Sequence, residues 1–250
     1  MNEQRKILRN FLKDDIRQKT DFRNTDQSLG VKQPAIEKEV KPEAVKIELP
    51  KPEEWTGISE VSVKDAIARR KSHRRYSKEP LTLEELAFLL WSVQGVREVI
   101  SGTSFRTVPS AGCRHAFETY LAIFNVEGLK EGIYRYLPSS HELVLESEPE
   151  SLFKRTAEAA LRQPFAGKAA VTFIWTAIPY RMEWRYGEAS YKVIALDAGH
   201  VGQNLYLACE SINAGTCAIA AYDQKIADEL LGVDGEDEFV IYLSPVGKIG

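Results

Sequence analysis

The chain has almost none of the residues that build metal or disulfide frameworks. Only three of its 250 residues are cysteine, namely Cys113, Cys209 and Cys217, far apart and never in a Cys-x-x-Cys pair. An odd, scattered set of this kind argues against a disulfide scaffold or a cysteine-ligated zinc and fits a reducing cytoplasm. The four histidines, His73, His115, His141 and His200, share no metal-ligand spacing. A surplus of either charge is missing as well. The 33 basic and 36 acidic residues leave a net charge of −3, whereas a dedicated nucleic-acid binder carries a clear positive excess. No apolar run approaches the roughly 20 residues of a membrane span, and no apolar segment follows the basic N-terminus in the manner of a signal peptide. A glycine-rich phosphate loop, a nucleophile elbow, internal repeats and low-complexity segments are all lacking. What is there, 44% hydrophobic and 28% charged residues, is the composition of an ordinary soluble protein able to bury a sizeable core.

Two regions differ in character. Residues 1–55 read as an N-terminal extension. Ile7, Leu8, Phe11, Leu12 and Ile16 suggest a short amphipathic helix, and a charge-rich stretch with Pro34, Pro42, Pro50 and Pro52 reads as a loose arm. The folded domain occupies residues 56–250. Ser62 is placed to cap a helix through Arg69, with Asp65 completing a capping box, and Thr82 to cap a second helix from Leu83 to Gly95. Strands are expected at Glu118–Asn125 and Ala169–Ala177, and a hairpin joins Gly132–Tyr136 to Glu142–Leu145 across Pro138-Ser139-Ser140. Further helices are expected over Glu150–Arg162 and Gln224–Leu231, with a last strand over Glu238–Leu243. The plainest helix carries Ile194, Ala198, Val201, Leu205, Ala208 and Ile212 at spacings of 4, 3, 4, 3 and 4, ending at Gly215. Three or four strands among five or six helices indicate α+β or a three-layer α/β arrangement.

Three stretches could carry chemistry. Arg69 to Tyr76 reads Arg-Arg-Lys-Ser-His-Arg-Arg-Tyr. Guanidinium forks and a serine hydroxyl suit phosphate oxygens, although a basic run is also what a solvated helix end looks like. Pro109-Ser110-Ala111-Gly112 would let a flat ring lie against the main chain, or it is a simple turn. Ala214 to Asp223, half Ala or Gly, is either tight core packing or a backbone wall beside a planar ligand.

In chain order these pieces resemble the FMN-dependent nitroreductase family, and most of all its branch of SagB-type dehydrogenases, which oxidise azolines in peptide natural products. The resemblance covers about Ile58 to Lys248. It rests on the Arg69–Tyr76 run, Pro80–Leu86, Leu90–Gly95, Arg106–Gly112, Gly132–Tyr136, Asp197–Leu205 and Pro245–Lys248. It implies an α+β nitroreductase-like fold, with a central, mostly antiparallel sheet flanked by helices, in an interlocked homodimer with FMN at the subunit interface. By position, Arg70, Lys71, Ser72 and Arg74 would meet the flavin's phosphate, ribityl chain and pyrimidine edge, and Lys248 would approach the phosphate. Pro109, Ser110 and Ala111 would line the isoalloxazine with Gln94 nearby, and the N–H groups of Ala220 and Ala221 would face it. The activity implied is transfer of hydride from NAD(P)H to a nitroaromatic or quinone. The missing dinucleotide fingerprint leaves NAD(P)H open, since ping-pong flavoenzymes bind nicotinamide transiently. Azoline oxidation and non-catalytic flavin binding are the alternatives. Where azoline oxidases carry a Lys-Tyr pair before a glycine, this chain has Arg185-Tyr186-Gly187. Arginine is no base at neutral pH, which leaves Tyr186 to handle a proton. The sequence ends soon after Lys248, so phosphate binding is expected to lean on Arg70 and Arg74.

Overall fold

A computed structural model describes residues 2–250. In chain order the elements are α1 (Glu3–Asn10), β1 (Lys46–Glu48), α2 (Val63–Arg69), α3 (Leu83–Gln94), β2 (Val96–Ile100), β3 (Thr103–Arg106), β4 (Phe117–Ile123), β5 (Gly132–Leu137) and β6 (Glu142–Ser147). There follow α4 (Leu152–Ala159), β7 (Val171–Ala177), α5 (Tyr180–Tyr186), α6 (Tyr191–Glu210), β8 (Ala214–Thr216), α7 (Gln224–Leu231) and β9 (Phe239–Lys248). Seven strands form one sheet in the order β1-β6-β5-β4-β7-β9-β8, and every neighbouring pair is antiparallel.

The pattern along β4 and β7 explains the layers. Both strands are buried at every position, so both read as continuous apolar runs and not as alternation. Leu121, Ile123, Phe173 and Trp175 face the helices α3 and α6 in one core, while Tyr120, Ala122 and Ile174 meet α4 and α7 in the other. Leu121 pairs with Phe173 and Tyr134 at the centre of the sheet. Truncating so enclosed a leucine to alanine costs about 2–5 kcal/mol.

Helix α6 buries its whole expected seam, Ile194, Ala198, Val201, Leu205, Ala208 and then Ile212. Helix α3 begins with a complete capping box. Thr82 accepts from Glu85 N at 3.1 Å, and Glu85 Oε2 accepts from Thr82 N at 3.0 Å. Ser62 likewise caps α2, though Asp65 returns its carboxylate to the Ser62 hydroxyl at 2.8 Å and not to the backbone.

Three expectations are corrected. The strands outnumber the three or four expected, because β1, β8 and the hairpin β2–β3 are short or largely exposed and so lack a hydrophobic signature. Helix α1 stops at Asn10, Ile16 falls in a separate turn begun by the Arg17–Asp14 pair, and Ile7, Leu8, Phe11 and Leu12 are exposed. The arm is not loose. Lys38 N donates to Glu118 at 2.9 Å, and its ammonium reaches Glu238 at 2.6 Å and Tyr120 at 3.1 Å. The buried Arg106 and Arg135 guanidiniums donate to the carbonyls of Ile36, Lys38 and Glu39. Those cations sit inside the fold and need acceptors, and the arm's backbone supplies them. Among the described residues no helix is long and apolar enough to cross a membrane, and no group of three or more His, Cys, Asp or Glu is arranged to hold a metal ion.

Candidate active site

The basic run begins where α2 ends. Arg70 leaves helical geometry at φ −47°, ψ 123°, and the chain then runs extended beside β8. Ser72 bridges Thr216, and His73 N donates to Thr216 O at 2.9 Å. Gly215 is required here, since a Cβ would stand 2.6 Å from the His73 ring. Tyr206, projecting from α6, ties the loop down. Its hydroxyl lies 2.9 Å from Ser72 Oγ and accepts from Ala218 N at 3.0 Å, while the Arg70 guanidinium sits 5.1 Å above its ring. Arg74 lies 5.9 Å from the Phe165 ring centre, and nearby Gln163 donates to the Ala221 carbonyl at 3.2 Å. Arg74, Arg75, Tyr76, Pro164, Phe165 and Lys168 line an open pocket of about 370 Å³.

The charge of this loop is uncompensated. Among the described residues Arg69, Arg70, Lys71, Arg74 and Arg75 form no ion pair. Partial burial, and then the Lys71 ammonium, hold the His73 imidazole below its ordinary pKa, so it is neutral at pH 7 and does not add to the cluster. Ala220 and Ala221 are exposed, and their N–H groups have no protein acceptor among the described residues. Guanidinium and ammonium groups without carboxylate partners are the chemistry that suits phosphate oxygens.

A second patch sits further back along α6. Ala111 N donates to Asp197 Oδ2 at 3.2 Å, the Ser110 hydroxyl bonds the same carboxylate, and His115 N donates to Ser110 Oγ at 3.0 Å. Burial raises the Asp197 pKa, and the bonds from Ser110 and Ala111 only partly oppose it. Gly112 adopts φ +58°, and a Cβ there would lie 2.6 Å from the Tyr186 hydroxyl and 2.8 Å from Arg185 Nε. The Arg185 guanidinium rests 5.6 Å from the Tyr186 ring centre. This contact brings Pro109–Gly112 together with Arg185 and Tyr186.

Within one chain the two patches stay apart. Asp197 and Tyr206 are nine residues apart on α6, which is about 14 Å along the axis and half a turn around it. The basic loop therefore gathers with residues 216–221, and Pro109–Ala111 gathers with Arg185 and Tyr186. Gln94 belongs to neither group. Its Oε1 accepts from Arg106 at 2.8 Å, and its Nε2 is buried without a partner among the described residues.

Lys248 differs from its expected place at a phosphate. Its ammonium is buried in an ion pair with Glu85 and donates to the Ile212 carbonyl at 2.8 Å. The C-terminal strand β9 runs into the core there, and the cation is spent on the α3 cap residue. Tyr206 and Phe165 organise the cationic loop yet were not singled out from sequence. An aromatic on the flank of an otherwise aliphatic and small-residue seam was the available signal for Tyr206. Asp197 lay inside a quoted motif without a role.

Fold and patches together describe an α+β protein with a three-layer core and a cationic loop packed against Tyr206 of its longest helix. The chain belongs to the nitroreductase family, whose model, described as "Nitroreductase family", matches residues 67–248. The protein MJ1384 of Methanocaldococcus jannaschii, whose name places it among nitroreductases, is 34% identical over 191 residues, spanning 76% of this chain and 93% of that protein. A crystal structure of a Ralstonia eutropha JMP134 protein that carries the nitroreductase name superposes with a TM-score of 0.68 at 26% identity, covering 87% of this chain and 94% of the other. The trifolitoxin-processing protein TfxB of Rhizobium leguminosarum bv. trifolii is 28% identical over 133 residues, 52% of this chain and 36% of TfxB.

Proposed function

We propose that the protein is an FMN-dependent oxidoreductase of the cytoplasm that takes hydride from NAD(P)H and reduces a small acceptor such as a nitroaromatic or a quinone. The observation that carries the reading is the run of cations Arg69, Arg70, Lys71, Arg74 and Arg75, in no ion pair among the described residues, on a loop tied through Thr216 and Tyr206 to the stretch that leads into the exposed Ala220 and Ala221. FMN, when bound, supplies the ring that accepts and passes on hydride. Arg70, Lys71, Ser72 and Arg74 would hold its phosphate and ribityl chain, and a guanidinium such as Arg74 would favour negative charge on the ring. Phe165 and Tyr206 fix the two arginines over their faces, so less side-chain freedom is lost on binding.

Residues 56–250 form the flavin-binding domain, and residues 1–55 extend it. The working unit is a homodimer. Leu196 is 55% exposed on α6, Gly199 has open space above it, and His200 and Gln203 lie on the same bare face between the two patches. A second copy packed there would bring Pro109–Ala111 of one subunit toward the cationic loop of the other. The test is simple: purified protein should be yellow, with a flavin band that bleaches anaerobically on adding NADH or NADPH and returns with a quinone. Colourless protein that gains nothing from added FMN contradicts the reading. Bound flavin that no donor reduces would leave a flavin-binding protein without catalysis.

A second reading, dehydrogenation of an azoline-like peptide heterocycle, is favoured by the similarity to TfxB and by the Tyr186 hydroxyl, which has no partner among the described residues. Turnover of a thiazoline peptide that is lost in Tyr186→Phe would select it over the first.

A further inference from the structure

Arginine at position 185 cannot replace a lysine base, and its surroundings give it another task. Its guanidinium is half-buried, with Nε 2.8 Å from the place a Gly112 Cβ would fill. Among the described residues it has no hydrogen-bond acceptor and no carboxylate partner; its only neighbour of note is the Tyr186 ring. The Tyr186 hydroxyl, at the same spot on Gly112, is equally unpartnered. A part-buried guanidinium with no protein acceptor keeps its donors free for an anion.

The surroundings add positive potential and no counter-charge. Arg114 is buried, donates to the Gly112 carbonyl at 3.1 Å and to Thr103 Oγ1 at 3.0 Å, and lies 5.2 Å from the Trp184 ring centre. Those bonds use two of its five N–H donors, and its charge stands close enough to repel Arg185. Asp197, the carboxylate bonded to this loop, is committed to Ser110 and Ala111. Two like charges converge on Gly112 with nothing between them.

We infer that Arg185 and Tyr186, seated on Gly112, form a carboxylate-binding subsite, so that the acceptor substrate is a planar molecule bearing a carboxylate. Carboxylate fits better than a neutral ring substituent because the guanidinium fork offers two parallel N–H donors and the phenol a third, all without acceptors. The subsite rests on the oxidoreductase reading for the word substrate, but its occupancy by an anion does not.

Binding and turnover separate the two. Benzoate, benzamide and inorganic phosphate are titrated by calorimetry into the protein as purified and after incubation with FMN, using wild type, Arg185→Gln, Arg185→Lys and Tyr186→Phe. With FMN bound, so that the cationic loop is occupied, benzoate is expected to bind at least tenfold tighter than benzamide and phosphate. Arg185→Gln should remove that preference, Arg185→Lys should keep part of it, and Tyr186→Phe should weaken benzoate alone. In turnover, kcat/KM for 4-nitrobenzoate over 4-nitrobenzamide should fall at least tenfold in Arg185→Gln. Equal affinity for benzoate and benzamide overturns the inference, as does binding of phosphate without benzoate. Should Arg185→Gln fail to fold, loss of the wild-type benzoate preference between low and high salt serves instead, and a salt-independent preference counts against the subsite. A colourless, inactive protein that still discriminates benzoate would sink the oxidoreductase reading and leave the subsite standing. A yellow, active one without discrimination would do the reverse.

Discussion

Protonation of one buried imidazole is expected to cost this protein stability in acid. The His115 side chain is only 4% exposed, and its Nε2 lies 3.1 Å from the Ser104 carbonyl, so that nitrogen carries the proton of the neutral ring. Burial first, and then the charges of Arg106, Arg114 and Arg181, push its pKa down to about 3 against the Ser104 bond, which pulls the other way. An unfolded histidine titrates near 6.5. A folded value below the unfolded one means that the contribution is whole above pH 6.5 and is lost as pH falls toward 3. Each unit in that window removes about 1.4 kcal/mol, so roughly 3 kcal/mol is gone by pH 4. Against a total of about 5–15 kcal/mol for a typical domain, that loss is large. The Pro109–Gly112 segment is tied to this residue, because His115 N donates to Ser110 Oγ at 3.0 Å. His115→Gln keeps a donor for Ser104 and cannot be protonated. Urea midpoints at pH 7, 5.5 and 4 would show wild type losing about 3 kcal/mol more than the variant across the range. Other groups titrate in both proteins and cancel in the difference. Parallel loss of stability in the two would refute the reasoning.

Gly112→Ala combines a positive φ with a methyl driven onto the Tyr186 hydroxyl and Arg185. It should displace that pair and lower stability by about 1–3 kcal/mol; an unchanged melting temperature would argue against the packing. Lys248→Met leaves the Glu85 carboxylate buried without its cation and should cost about 3–5 kcal/mol. Adding Glu85→Gln should recover part of that loss in a double-mutant comparison of urea midpoints, and strict additivity would contradict the pairing. The raised pKa of Asp197 means that its contribution is present below the ordinary carboxylate pKa and is lost as pH rises through the raised value. Asp197→Asn, which can still accept from Ala111 N, should therefore match or exceed wild type in melting temperature at pH 7 and lose that standing at pH 4.

Legibility followed burial. The α6 seam could be read because a helix lying on a sheet must repeat its apolar face at 3.6 residues, and all six expected positions are buried. The cap at Thr82 could be read because its chemistry is local. Strands β4 and β7 were visible as apolar runs. Strand β2, by contrast, carries Arg97 and Glu98 on exposed backbone and has no pattern to find. The arm's attachment depends on Arg106 and Arg135, arginines buried some 70 to 97 residues from their acceptors, and a charged residue in sequence carries no mark of burial. The same limit hid Lys248. Its motif was legible, but its pairing with Glu85, 163 residues away, was not. At the site the basic run was plain, whereas the contact of Gly112 with Arg185 and Tyr186 required the fold.

The most direct measurement compares FMN with riboflavin, which lacks the phosphate, in equilibrium binding to apoprotein and to its Arg70→Gln variant. Charge-assisted bonds to a phosphate contribute about 1.5–3 kcal/mol each, so two from the cationic loop predict that FMN binds at least 100-fold tighter than riboflavin. The variant should lose about 10-fold or more for FMN and almost nothing for riboflavin. Equal affinities for the two flavins, or no binding of either, would contradict a phosphate site built from the Arg69–Arg75 run.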